Sequence, residues 1–405
     1  MTGTGHEHRT APGVGPDPIR SRRSLTRMAP RSPHEAGRTA SPLELFFDLV
    51  FVVAVSLSSQ ALHHLDAEGH VGAGALSYLM VFFAIWWAWM NFTWFATSFD
   101  TDDWLYRVMT FLQMGGVLVL AAGAGAAMAE HDFTLVTIGY VVMRLALVGQ
   151  WLRAAVSHPA LRPTALRYAT GIVLVQAAWV ARLFLPPTAG LVGFVVLAVA
   201  EVLVPVWAER HGTTPWNPHH VAERYGLFTL ILLGESILAS ATAVVEALDS
   251  GDRTGDLLAI SGAGLVIAAG MWWVYFAREH LPAPGLGPSL LFGYFHYVIF
   301  AAAGAFSAGI EVAIDRATGA TELAPTAAAA TLAVPTAVFL AGVWWLTLRG
   351  RLAAAGTVLL AAGVAAVLAS MLLPTLAIVG TALGVALCVV GVEMRPRAPA
   401  TTKPW

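Results

Sequence analysis

Charge is what this chain has least of. Asp, Glu, Lys and Arg together make up 12% of 405 residues, about half the share found in an ordinary soluble domain. Hydrophobic residues make up 57% and mean hydropathy is +0.68, so a membrane protein is read before any motif. Lysine is all but missing, Lys403 standing alone, and no basic patch with interleaved aromatics occurs, which removes nucleic acid as a partner. The one cysteine, Cys388, lies in an apolar run. That excludes an internal disulfide framework and a cysteine zinc site.

Apolar residues are themselves scarce in residues 1–40, which are rich in Pro, Gly, Ser, His and Arg. Such a stretch cannot bury enough surface to offset its ordering entropy and is expected to be a disordered cytoplasmic tail. "SRRSLTR" at 21–27 has the look of a twin-arginine export signal, but "MAPRSPHEAGR" follows where a hydrophobic core is required. "HEH" at 6–8 reads as solvated tail, not as a metal site.

What the chain does have is long apolar runs. About 20 apolar helical residues cross a bilayer core, and twelve such spans are predicted, near 44–65, 74–97, 107–129, 135–153, 168–185, 190–208, 219–247, 257–277, 289–312, 327–348, 352–373 and 375–392. Their connections are too short for a soluble catalytic domain. With the N-terminus inside, the basic residues between spans gather on the cytoplasmic side, with Arg253 and Arg316 the exceptions. An odd error in the span count would scramble that segregation. The fold class expected is an all-α polytopic membrane protein with both termini cytoplasmic.

The spans repeat. "AIWWAWMNF" (84–92) in span 2 is echoed by "AGMWWVYF" (269–276) in span 8, and "ARLFLPP" (181–187) in span 5 by "ASMLLPT" (369–375) in span 11. The division expected is a first six-helix repeat over 41–210, a second over 211–393, and a short tail over 394–405. Six spans per unit makes the two halves parallel, with a pathway placed between them.

Polar residues inside oil are the candidates for function. Ser41-Pro42-Leu43-Glu44 fits a capping box, which explains Glu44 structurally. Asp48 has no such account. It lies about 6 Å further along the same face, among Phe46, Phe47 and Phe51, where an ionised carboxylate needs water, a cation or a partner. Span 7 opens with Asn217 as N-cap and Pro218 after it. His219, His220, Glu223 and Arg224 then crowd two turns, either as a His220–Glu223 metal site or as an interfacial cluster with an internal Glu223–Arg224 pair. Glu235 lies about 18 Å beyond Glu223, near the bilayer midplane. Ser236 is beside it, and Gly234 is expected to admit another backbone closely. Glu235 is therefore the strongest proton or cation site. Its alternative role is a buried pair with Arg144 of span 4, for which Glu201 of span 6 is a second partner.

Other polar residues read as structural. Arg182 and Glu311 would snorkel outward, His296 would be a satisfied core histidine, and Asp100, Asp102 and Asp103 would cap span 3. The tryptophans Trp86, Trp87, Trp89, Trp94, Trp272 and Trp273 would pack and anchor at the interface.

"ELFFDLVFVVAVS" (44–56), "FDTDD" (99–103) and "AERYGLFTLILLGES" (222–236) resemble the bacterial low temperature requirement protein A family, over about 40–392. The resemblance implies a polytopic bacterial inner-membrane protein, linked by name to growth in the cold, with no established reaction, substrate or cofactor. The motif acids correspond to Glu44, Asp48, Asp102, Asp103, Glu223 and Glu235. "FFD" is also similar to the Phe-Ser-Asp signature of lysosomal-type potassium channels, with Phe47 in place of Ser.

The function expected is a transporter or ion-conducting protein. Asp48, Glu235, Ser236, Glu44, Glu223 and Arg144 are its binding candidates, and a proton, cation or small molecule its cargo. Membrane lipids surround it, no cofactor is indicated, and oligomeric state is not set. The alternatives are a membrane enzyme acting on lipid, for which no paired-His zinc motif, Gly-flanked Ser nucleophile or nucleotide loop is present, and a scaffold or sensor of membrane state.

Overall fold

The structure is a computed structural model that describes residues 25–35, 37–250, 254–279 and 281–394. Among these there are twelve long helices and no strand. In order they are α1 (Pro42–Ala67), α2 (Val71–Phe99), α3 (Trp104–Ala129), α4 (Thr134–Ser157), α5 (Arg162–Arg182), α6 (Pro187–Ala208), α7 (Pro218–Ser250), α8 (Thr254–Phe276), α9 (Leu286–Thr318), α10 (Pro325–Val343), α11 (Ala354–Ala369) and α12 (Ala377–Glu393). All twelve, with short 3-10 or π continuations at some ends, are long and apolar enough to cross a membrane. The expected spans 1–12 each fall on one of them.

Local chemistry starts these helices where the sequence signals them. Ser41 Oγ accepts from the Glu44 N–H at 3.3 Å and the Glu44 carboxylate accepts from the Ser41 N–H at 2.8 Å, completing the capping box of α1. Asp103 caps α3 through the Tyr106 N–H at 3.0 Å. Asn217 Oδ1 accepts from the N–H groups of His219 and His220 at the start of α7. Alternation of direction puts the starts of all odd-numbered helices on one face, called proximal below, and the opposite face is distal.

Burial separates centre from periphery. The apolar stretch of α9 is 72% buried and that of α2 67% buried, against 22% for α6 and 28% for α11; the first two form the middle of the bundle and the last two its lipid-facing edge. Close helix contacts rest on glycine. Gly116 of α3 meets Gly139 and Met143 of α4, and Gly309 of α9 meets the backbone at Thr331 and Leu332 of α10. Trp86, Trp87 and Trp89 are buried, whereas Trp272 and Trp273 are about half exposed.

The segment before α1 differs from expectation over 25–40. Met28 is fully buried, Thr26 donates to Asp103, Arg31 pairs with Glu35 and Asp100, and Arg38 donates to the carbonyls of Ala96 and Thr97. It is a strap across the proximal ends of α2–α4. The physical reason is that helix C-termini leave carbonyls unpaired, and the arginines of the strap supply donors for them. "HEH" and most of "SRRSLTR" lie outside the described residues.

Candidate functional site

Three groups of buried charge lie in the bundle, and the sequence anticipated the members better than the pairings. The first is at the proximal end of α1. Arg224 of α7, fully buried, holds Asp48 by two hydrogen bonds, Nε at 2.9 Å and Nη2 at 2.5 Å, and Glu44 through Nη1 at 2.8 Å. Trp89 of α2 adds a bond from Nε1 to Asp48 at 2.7 Å, and His220 Nε2 lies 3.1 Å from Glu44. So Asp48 does have a structural partner. The expected internal Glu223–Arg224 pair is not formed; Glu223 accepts from the Ala40 N–H at 3.1 Å. A guanidinium fork matches a carboxylate in the plane, as Arg224 does on Asp48, and Glu44 is shared between Arg224 and His220. His220 meets Glu44, and Glu223 is turned to the Ala40 N–H.

The second group settles Arg144, which does not reach Glu235. Arg144 Nη2 donates to Glu201 of α6 at 2.9 Å, and both side chains are essentially fully buried. Glu201 also accepts from Trp87 Nε1, Tyr140 OH and Gln176 Nε2, each at 2.8 Å, and from Trp179 Nε1 at 3.3 Å. A carboxylate offers about four lone-pair sites, so Glu201 is saturated and has no room for a visiting cation. Among the described residues Arg144 Nε and Nη1 have no hydrogen-bond partner.

The third group contains Glu235. It is 6% exposed, and its hydrogen-bond partner among the described residues is Ser56 of α1, Oγ donating to Oε1 at 2.8 Å. Gln60, one turn further along α1, donates to Ser56 at 3.2 Å. Nearer the distal face, His63 of α1 sits between Glu311 and Asp315 of α9, with nitrogen–oxygen distances of 3.0 and 2.7 Å. Ser236 is not brought to the site, since its hydroxyl bonds the Leu233 carbonyl at 2.7 Å. Gly234 faces open space and no backbone approaches it.

These groups lie along α1. Glu44, Asp48, Ser56 and Gln60 recur at multiples of four, which keeps them on one drifting face, and His63 follows. Between Asp48 and Ser56, about 12 Å apart along the axis, the stripe is interrupted by aromatics. Phe228 of α7 stacks on Trp89 at 4.3 Å and meets Phe51 at 6.4 Å and Phe300 of α9 at 5.1 Å. An aromatic block thus stands between the proximal charge cluster and the Glu235 group.

Sequence reasoning missed two features. The role of Arg224 as partner to both α1 acids was hidden behind its neighbour Glu223, and the His63–Glu311–Asp315 set was not considered. His63 lies three residues after Gln60, a helical neighbour on α1, and that spacing was a signal within the sequence. Other expectations fare variously. His296 is a core histidine, bonded to the Phe292 carbonyl and Tyr275. Arg182 does not snorkel. It is buried, donates to the Gly190 carbonyl and lies over Phe133, Trp179 and Phe194. Glu311 is turned to His63. Asp102 pairs with Arg107 while Asp103 caps α3.

Twelve apolar helices around buried ion pairs define a multi-pass integral membrane protein. Residues 39–392 match the bacterial low temperature requirement A protein family, and the chain belongs to it. Over 249 residues it is 30% identical to the uncharacterized protein RA0937 of Rhizobium meliloti (strain 1021), a stretch that covers 58% of each chain.

Proposed function

We propose that the protein conducts or transports a proton or other cation across the bacterial inner membrane, with Glu235 as the site that binds it. The observation that carries this reading is Glu235 itself: a carboxylate about halfway along the bundle whose one hydrogen-bond partner among the described residues is a hydroxyl, while Glu201, Glu44 and Asp48 are paired with arginine. An acid held in hydrocarbon without a countercharge is costly unless something charged visits it. Access comes from the distal side through Gln60 and the half-buried His63, Glu311 and Asp315. The Asp48–Arg224 pair and the Phe51–Trp89–Phe228–Phe300 block close the proximal side. Asp48, Glu44 and Arg224 then act as a gate joining α1 to α7, Glu223 pins the strap at Ala40, and Arg144 is structural. The channel-like "FFD" comparison is weakened, because Asp48 is occupied by Arg224 and Trp89.

The order in which helices pack supports two six-helix units: α3 on α4 and α9 on α10, α1 on α3 and α7 on α9, α1 on α2 and α7 on α8. The arginine distribution supports cytoplasmic termini, which makes the proximal face cytoplasmic. A scaffold or sensor reading draws on the fully buried Glu201–Arg144 pair.

In proteoliposomes, a cation flux screened over several pH values should be present in the wild type and lost in Glu235→Gln, with the variant eluting as folded protein. Retained flux in Glu235→Gln would remove Glu235 as the site. No flux of any tested cation in the wild type would favour the scaffold.

A further inference from the structure

A second feature lies apart from the Glu235 group. Near the proximal face, between α2, the segment after α6 and the start of α9, is a pocket of about 150 Å³, roughly the room of five water molecules. Six aromatic residues line it: Trp94 and Phe95 of α2, Trp151 of α4, Tyr168 of α5, Trp216 before α7 and Tyr294 of α9. Their placement is fixed. Trp151 stacks on Tyr168 at 4.1 Å with planes 5° apart, and Trp94 meets Trp216 at 5.3 Å. The polar edges of Trp94 and Tyr294 are engaged outside the pocket, by the Tyr225 hydroxyl and the Val202 carbonyl.

The charged residue in this lining is Glu209. Its Oε1 accepts from the hydroxyls of Tyr168 at 2.9 Å and Thr214 at 2.6 Å. Among the described residues no arginine or lysine lines the pocket. Burial pushes the Glu209 carboxyl up, against the hydroxyl bonds of Thr214 and Tyr168 and the Thr214 N–H that work to lower it, and no cationic side chain of the described lining stands opposite it.

The chemistry of this lining selects its occupant. A hard metal ion needs several oxygen ligands, whereas the pocket brings one carboxylate. An anion would meet Glu209, and a neutral apolar molecule would leave that carboxylate uncompensated. A cation with an apolar skin satisfies both parts, because aromatic faces attract such a charge and Glu209 supplies the counter-ion. We infer that this pocket binds a small organic ammonium ion, held by the aromatic walls and paired with Glu209. The inference does not depend on Glu235.

Choline and its uncharged isostere 3,3-dimethyl-1-butanol are the probes, titrated against the full chain in detergent with tryptophan fluorescence as readout. Choline should give a saturable change, the isostere should bind at least tenfold more weakly, and Glu209→Gln should lose choline affinity by tenfold or more. Equal binding of choline and isostere would overturn the assignment, as would wild-type affinity in Glu209→Gln or no saturable signal with choline. Should Glu209→Gln fail to fold, Trp216→Leu serves in its place: a tenfold loss supports the ammonium site, and unchanged affinity overturns it.

Discussion

Arg224 is the residue on which the α1–α7 junction turns. Removing one member of a buried ion pair leaves an uncompensated charge and costs about 3–5 kcal/mol. Arg224→Gln should therefore lower thermal stability in detergent sharply, and adding Glu44→Gln and Asp48→Asn should recover most of it. A single Arg224→Gln variant that melts like the wild type would show that the pair does not hold the junction. Asp103 gives a pH-dependent counterpart outside the spans. Burial works to raise its carboxyl, but the Arg153 guanidinium and the N–H groups of Tyr106 and Thr26 outweigh it and hold it below the usual aspartate range. A depressed native pKa stabilises above the unfolded value of about 4 and is lost as pH falls through the native one. Docking of the strap should accordingly persist at neutral pH and fail in acid. At pH 7, Asp103→Asn should mimic acid and speed tryptic cleavage at Arg27; cleavage at the wild-type rate would count against it. At this scale the acids themselves were legible, because a carboxylate in an apolar run stands out. Which arginine met which acid was not, since Arg144 could serve Glu201 or Glu235 equally well on paper.

Among the helices, the α9–α10 contact is a close one to test. A Cβ added at Gly309 would lie 2.5 Å from the Thr331 carbonyl and 2.7 Å from Leu332, backbone atoms that cannot swing away. Gly309→Val should destabilise by about 1–3 kcal/mol through overpacking. Gly125→Val, where the added atom meets open space, should change stability by less than about 0.5 kcal/mol. Equal melting temperatures for the two variants would refute close packing at Gly309. Existence and order of the helices were readable from apolar run lengths, Ser41-Pro42 and Asn217-Pro218, all of which act within a few residues. The strap was unreadable because its polar composition favours solvent, and unpaired backbone carbonyls on other helices are what capture it.

For the whole molecule, twelve spans between them put Thr26 and Met394 on one face. Cys388 is buried, so a cysteine introduced at Thr26 and another at Met394 should be labelled from the same side by a membrane-impermeant thiol reagent. Labelling from opposite sides would remove a span from the count.

Hydrophobic run length, capping chemistry and the placement of acids are properties of neighbouring residues, and they alone determined that this chain is a helical membrane protein with charge buried in it. The Arg224–Asp48 and Arg144–Glu201 pairs, the single hydroxyl at Glu235 and the aromatic pocket around Glu209 were decided by tertiary structure. Each depends on which faces of distant helices meet, and the local sequence of a helix presents a face without naming what will stand opposite it.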